Sequence, residues 1–360
     1  MRPHPRGCGE PEVVPRNFAL CRQTEGFFAF ISSFIPLLRR LMYYFSTLKG
    51  GDDVLYGREL IDQFPVRKSK KQKAAFREAA LRYGAARGYT GTVESGAFGA
   101  KNIVFGNPDA AAYLVTAHYD TCARLPFPNF ITPCHLSIYL LYQLLLCAVL
   151  ILVPCAIGIA VGIWMREPLV ASVTAEVLFL LFLYLLLFGP ANPTNANDNS
   201  SGVLTVLDLM AALPEEQRAQ VCFVLFDLEE AGLFGSASYR KAHRKASQGQ
   251  LVLNFDCVGD GDHLLFFPKA KVKRDRALFE RLQAAAGPAG EKELVIWDQF
   301  GFYPSDQAQF PLGVGIAAMR KTRHGIYYLG RIHTKRDTIL EEQNIILLRA
   351  FVLKLLEQTN

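Results

Sequence analysis

Charge is scarce in this sequence, and one long stretch has none. From Leu125 to Met165 there is no Lys, Arg, Asp or Glu, and charged residues make up only 20% of the 360-residue chain against 51% hydrophobic. That balance is apolar for a water-soluble enzyme and points to a local membrane segment. The eight cysteines include no C-x-x-C pair and are too sparse for a disulfide scaffold, so free thiols in a reducing compartment are expected. The formal charge of +6 comes without an aromatic-rich basic module, which argues against a nucleic-acid partner. The one basic cluster, Arg67, Lys68, Lys70, Lys71 and Lys73, reads as a solvated helix face. There is no internal repeat and no long low-complexity segment. The amino terminus does not read as a cleavable signal, because its apolar stretch, Phe27 to Leu38, comes late and is followed by Arg39 and Arg40.

What is present divides the chain into three parts. Residues 1–50 read as an irregular start followed by an amphipathic interfacial helix. Residues 131–188 read as an inserted helical hairpin. Its first run, LSIYLLYQLLLCAVLILVPCAIGIAVGIWM, exceeds the ~30 Å hydrocarbon core at ~1.5 Å per residue, and Pro168 to Phe188 is long enough to return. Only Arg166 and Glu167 separate the two runs. Gly158 and Gly162 form a G-x-x-x-G pair suited to close helix packing, and Pro154 is expected to kink the first span. Residues 51–130 and 189–360 then form one catalytic domain interrupted by the hairpin.

In that domain, strand-like and helix-like segments alternate. Asn102–Phe105, Tyr113–Thr116, Val221–Phe226, Leu251–Phe255, Leu264–Phe267, Leu294–Trp297 and Val314–Met319 read as strands. Lys68–Arg87, Gly202–Leu213, Ala231–Lys245, Arg274–Ala286 and Glu341–Leu356 read as helices. The pattern predicts an α/β fold with a mostly parallel central sheet flanked by helices.

The unusual polar residues fall at the carboxyl ends of these strands, where open α/β sheets place their ligands. One strand ends in His118-Tyr119-Asp120. Asp198 follows the hairpin in Asn197-Asp198-Asn199-Ser200-Ser201-Gly202, which by itself reads as a helix cap with turn residues. Val221–Phe226 runs into Asp227-Leu228-Glu229-Glu230, where adjacent carboxylates repel unless a cation lies between them. Asp256 ends another strand, and His333 comes late in Ile332-His333-Thr334-Lys335-Arg336-Asp337. Two imidazoles with several carboxylates suit zinc rather than magnesium or calcium, and the donors suffice for two ions. One acid must remain free as a base.

These motifs resemble the two-zinc exopeptidases of the bacterial leucine aminopeptidase type, whose relatives include glutamate carboxypeptidase-like and glutaminyl cyclase-like proteins. The resemblance lies in His118-Tyr119-Asp120, Asp198-Asn199-Ser200-Ser201-Gly202, Glu229-Glu230-Ala231-Gly232-Leu233-Phe234-Gly235-Ser236, Asp256 and His333, in that order, and spans Asn102 to the carboxyl terminus. It implies that His118 and Asp256 hold one zinc, that Glu230 and His333 hold the other, and that Asp198 bridges them. It also implies that Glu229 is the general base and that Asp120 orients His118. Two departures stand out. Ser305-Asp306-Gln307 replaces the family's Ser-Asp-His, with Tyr303 nearby as a candidate oxyanion donor, and the hairpin replaces a short loop between the first ligand and the bridging Asp. The implied activity is hydrolysis of peptide substrates by a bilayer-anchored aminopeptidase, with a cytoplasmic catalytic domain favoured by the unpaired cysteines. Cyclase or amidase chemistry on the same metals, or an inactive peptidase-like scaffold, are the alternatives. A transporter, suggested by Glu176 within the second span, is disfavoured because two spans are few.

Overall fold

The computed structural model describes residues 55–287 and 292–358, and the expected interfacial helix lies outside them. Its sheet is built from continuous apolar runs rather than alternating ones. Every residue of β3 (Tyr113–His118), β4 (Val221–Phe226) and β5 (Leu251–Phe255) is buried, as happens when helices cover both faces of a sheet. Two separate cores confirm the double cover. Val115, Ala117, Phe223 and Leu225 face Phe76 and the helices Gly202–Ala212 and Glu342–Glu357, while Leu114, Val224 and Val252 face Tyr239 and Phe310 on the other side.

The remaining strands are β1 (Gly91–Ser95), β2 (Lys101–Phe105), β6 (His263–Pro268), β7 (Glu293–Ile296), β8 (Gly313–Lys321) and β9 (Tyr327–Tyr328). They order as β1-β2-β4-β3-β5-β8-β6-β7, with β9 on β8. The α/β class stands, but the parallel character is narrower than the alternation suggested. β4-β3-β5-β8 and β6-β7 are parallel, whereas β1-β2, β2-β4, β8-β6 and β8-β9 are antiparallel. Connection length explains this. The turn between β1 and β2 is too short for a crossover helix, and so is the segment from Asp256 to Asp262 between β5 and β6, so both chains must run back.

The basic cluster is not a uniformly solvated face. Ser69 and Gln72 form a reciprocal capping box that starts the helix Lys70–Ala85, and this turns Arg67 and Lys73 inward. Arg67 is fully buried, donating to the carbonyls of Tyr119 (2.6 Å) and Phe64 (2.7 Å) and to Ser200 Oγ (3.2 Å). Lys73 Nζ pairs with Asp227 at 2.7 Å inside the domain. Burial brings Arg67 down to about 10 against the opposing pull of Asp120 and Asp198.

The insert forms two helices, Leu136–Met165 and Pro168–Phe188, each long and apolar enough to cross a membrane. The first is continuous through Pro154. They pack through the expected glycines. A Cβ on Gly158 would come within 2.4 Å of the Ala171 carbonyl, and one on Gly162 within 2.5 Å of the Ala171 Cβ. Their outer faces carry exposed Leu, Ile and Val side chains, with Trp164 82% exposed. Both ends return to the sheet. Ala123 bridges Ala191 and Ile131 bridges Leu329, fixing the hairpin's stems beside the end of β3.

Candidate metal centre

Strand register brings the centre together. His118 on β3 pairs with Phe226 on β4, and Thr116 pairs with Asn254 on β5. His118, the loop after Phe226, and Asp256 therefore lie level along the carboxyl edge of three adjacent parallel strands. Asn199 ties two of these ends together: its side-chain amide donates to the carbonyls of Phe255 (3.0 Å) and His118 (3.4 Å), and its oxygen accepts from Gly202 N (3.0 Å) and Cys257 N (3.2 Å). The bond from Gly202 N to Asn199 Oδ1 spans three residues as a cap would, but Ser201, the N-cap residue of the helix, makes no side-chain cap bond. Asp337 fixes Asp198 from the other side, accepting from the backbone N–H of Asn197 (2.7 Å) and Asp198 (3.0 Å). The Asp198–Asn199 peptide is cis.

Asp120 does more than face His118. Its Oδ1 lies 3.5 Å from His118 Nδ1, long for a hydrogen bond. The same carboxylate accepts from the backbone N–H of Glu229 (3.1 Å) and Glu230 (3.3 Å), gripping the turn that carries both glutamates. That turn delays the following helix, which starts at Phe234 rather than Ala231. Gly235 is required there, since a Cβ would meet the Asp227 carbonyl at 2.1 Å. Leu228 and Leu233 in this turn, and Cys257 and His333 elsewhere in the centre, hold φ between 55° and 63°, a conformation that non-glycine residues adopt at some cost.

The five sequence-predicted ligands converge with a definite division. Asp198 Oδ1 lies 3.4 Å from His118 Nε2, which is 3.5 Å from Asp256 Oδ1. Asp198 Oδ2 lies 3.0 Å from His333 Nε2, which is 3.3 Å from Glu230 Oε2. Glu229 joins His118 and Glu230 in a third close group. Burial pushes Glu229 and Glu230 well above the usual carboxylate range, with neighbouring acids adding and His118 opposing. Burial lowers His118, but Glu229 and the adjacent carboxylates of Asp120, Asp198 and Asp256 outweigh it and raise it well above the ordinary value. Asp198 is lowered instead, because His118 and His333 outweigh its burial.

A divalent ion fits this arrangement. Glu230 Oε1 is buried with no hydrogen-bond partner, and so many buried acids side by side call for positive charge. The mixed nitrogen and oxygen donors suit zinc. A cavity of about 320 Å³ opens beside them, walled by Asn129, Ile131, Tyr303, Ile332 and, from the last turn of the second apolar helix, Leu187.

A family model described as Peptidase family M28 matches residues 185–351, from the end of the hairpin through His333. Residues 185–351 are thus similar to an M28 peptidase domain. Its fold matches solved structures across most of the chain. Porphyromonas gingivalis glutaminyl cyclase is 15% identical with a TM-score of 0.55, covering 85% of this chain and 96% of that one. A Zn-dependent exopeptidase from Parabacteroides distasonis is 14% identical with a TM-score of 0.53, covering 84% and 95%. A leucine aminopeptidase precursor from Bacteroides thetaiotaomicron is 15% identical with a TM-score of 0.52, covering 84% and 94%. No curated protein matches the sequence. At these identities the solved structures establish the fold but not the reaction.

Around the candidate centre, the Gln307 departure has a structural explanation. Gln307 is buried and committed to the scaffold: its Oε1 accepts from Asn254 Nδ2 (3.0 Å) and its Nε2 donates to the Tyr303 carbonyl (2.7 Å). The Tyr303 hydroxyl donates to the Asp256 carbonyl at 3.0 Å, which ties it to the end of β5. Asp306 is buried and pushed up to about 7, chiefly by burial. Asp337, Asn199 and Arg67 are site-supporting residues to which sequence reasoning gave no such role; for Asp337 the only signal was its place four residues after His333.

Proposed function

We propose that this chain is a membrane-anchored, metal-dependent exopeptidase of the aminopeptidase type, with two divalent ions at the centre. The observation that carries the reading is the split of Asp198, whose two oxygens point to different donor groups. His118 and Asp256 would hold one ion, Glu230 and His333 the other, and Asp198 would be shared. When bound, zinc polarises the scissile carbonyl and makes a water molecule acidic enough to attack it near neutral pH. Glu229 takes the proton from that water and passes it to the leaving amine. Its burial among acids favours this role, because such surroundings raise a carboxylate's affinity for a proton. Asp120 positions the turn from which Glu229 projects.

Two membrane-spanning helices from Leu136 to Phe188 would place this cavity at the bilayer surface, since Leu187 belongs both to the second span and to the cavity wall. Apolar peptides are the substrates that this wall favours, with the catalytic domain on the cytoplasmic side. The test uses full-length protein in lipid nanodiscs with amino-acyl amides, free peptides and amino-terminally blocked peptides. Release of single amino acids from free but not blocked peptides supports the reading. Conversion of amino-terminal Gln peptides to pyroglutamate without cleavage would replace it with cyclase chemistry. No turnover by fully metal-loaded protein would leave a peptidase-like scaffold.

A further inference from the structure

Cys122 lies four residues beyond His118, and its surroundings differ from those of the other buried cysteines. The residue is 1% exposed, and its sulfur, Asp198, Glu230 and His333 each offer a donor atom within 4.8 Å of all the others. Zinc bonds of ~2.0–2.3 Å set the donors of a tetrahedral ion roughly 3.3–3.8 Å apart, so the four need only small rotamer changes to close on one ion. The backbone is held in place: the Cys122 carbonyl accepts from Asn192 N at 3.1 Å, in the stem that closes the hairpin. Among the described residues no hydrogen-bond partner is recorded for the Cys122 thiol. Glu230, whose side chain is 10% exposed, also carries an unpartnered oxygen in the same group. Cys257 contrasts with this, because its thiol donates to Asp256 Oδ1 at 3.2 Å.

We propose that Cys122 supplies a sulfur ligand to the ion held by Glu230 and His333, so that this position is a Cys/His/Asp/Glu set while the other is His/Asp/Asp. The inference rests on the two-metal reading above. A sulfur–metal bond forms as the S–H bond breaks, and the proton leaves to solvent. The two positions then differ in softness: the sulfur-bearing one selects zinc or cobalt over magnesium and manganese more strongly than its neighbour does.

Full-length protein in detergent, stripped by chelator and reloaded with cobalt(II), tests this by its absorption spectrum. The expected result is a near-ultraviolet sulfur-to-cobalt charge-transfer band together with visible cobalt bands. Cys122→Ser and Cys122→Ala should lose the first and keep the second, whereas Cys257→Ser should keep both. Loss of zinc to chelator should become about tenfold faster, or more, in Cys122→Ser. Visible bands without a charge-transfer band in the wild type, or a band that survives both Cys122 variants, would overturn the sulfur ligand while leaving the metal centre intact. Absence of any bound cobalt would overturn the metal reading itself, and the ligand with it.

Discussion

Replacing Glu229 by Gln separates proton transfer from metal binding. Glu229 is assigned no metal-ligand role, its backbone N–H is fixed by Asp120, and the amide keeps the side chain's shape. The change removes a base whose contribution in enzymes is ~10²–10⁴-fold, or about 3–5 kcal/mol of barrier. It also removes a carboxylate facing Glu230, Asp306 and Asp256, three groups that disfavour its ionised form. Metal content should therefore stay at the wild-type level, and thermal stability should hold or rise. The assay is kcat/KM on an amino-acyl amide, measured alongside metal analysis and a melting curve on the same preparation. Turnover within tenfold of wild type, with metal retained, would refute the role assigned to Glu229. Loss of metal together with activity would show that Glu229 is a ligand instead.

Other perturbations probe separate parts of the account. Arg67→Met leaves the buried carbonyl of Tyr119 without its donor, at ~1–3 kcal/mol, and the part-buried one of Phe64 as well, so a lowered melting temperature is expected, and an unchanged one would contradict the buried role. Metal-stripped protein should lose stability as pH rises from about 5 to 8. Glu229, Glu230, His118 and His333 are raised in the folded state, and Asp306 and Asp337 reach about 7, so the folded state binds more protons than the unfolded one across that window. Thermal unfolding in chelator at several pH values checks the sign, and stability rising across the window would contradict it. Gly158→Leu should separate the two apolar helices, because even a Cβ meets the Ala171 backbone. Faster proteolysis near Arg166–Glu167 would report this, and an unchanged cleavage rate would argue against the packing. Alkaline carbonate washing should leave the protein in the membrane pellet, and release to the supernatant would reject the spans.

The parts legible in the sequence share a physical reason. A buried strand is a run of apolar residues, and polar residues at its end lie at an edge where only a few roles are open. Val221–Phe226 followed by Glu229-Glu230, and Leu251–Phe255 followed by Asp256, therefore announced their places. Asp198 was harder, because an Asn-Asp-Asn-Ser-Ser-Gly segment caps helices everywhere, and only the company of the other motifs distinguished it. Arg67 and Lys73 were misread for the opposite reason. Arg67 reaches Tyr119, 52 residues away, and Lys73 reaches Asp227, 154 residues away, so a local run of basic residues looks solvated until the chain is folded. Cys122 carries no local signal, since a cysteine after a strand is ordinarily a small hydrophobe, and its neighbours Asp198, Glu230 and His333 come from three distant loops. The outer antiparallel strands depended on loop lengths rather than on alternation.

Metal analysis of the full-length protein and of Asp198→Asn is the most direct test of the shared ligand. Wild type should hold about two zinc ions per chain after gentle dialysis, and His118→Ala or His333→Ala should each weaken one position. Asp198→Asn should weaken both, because each Asp198 oxygen faces a different donor group. A folded preparation that binds no transition metal, and whose melting temperature does not respond to added zinc, would contradict the account. So would an Asp198→Asn variant that retains both ions at wild-type affinity.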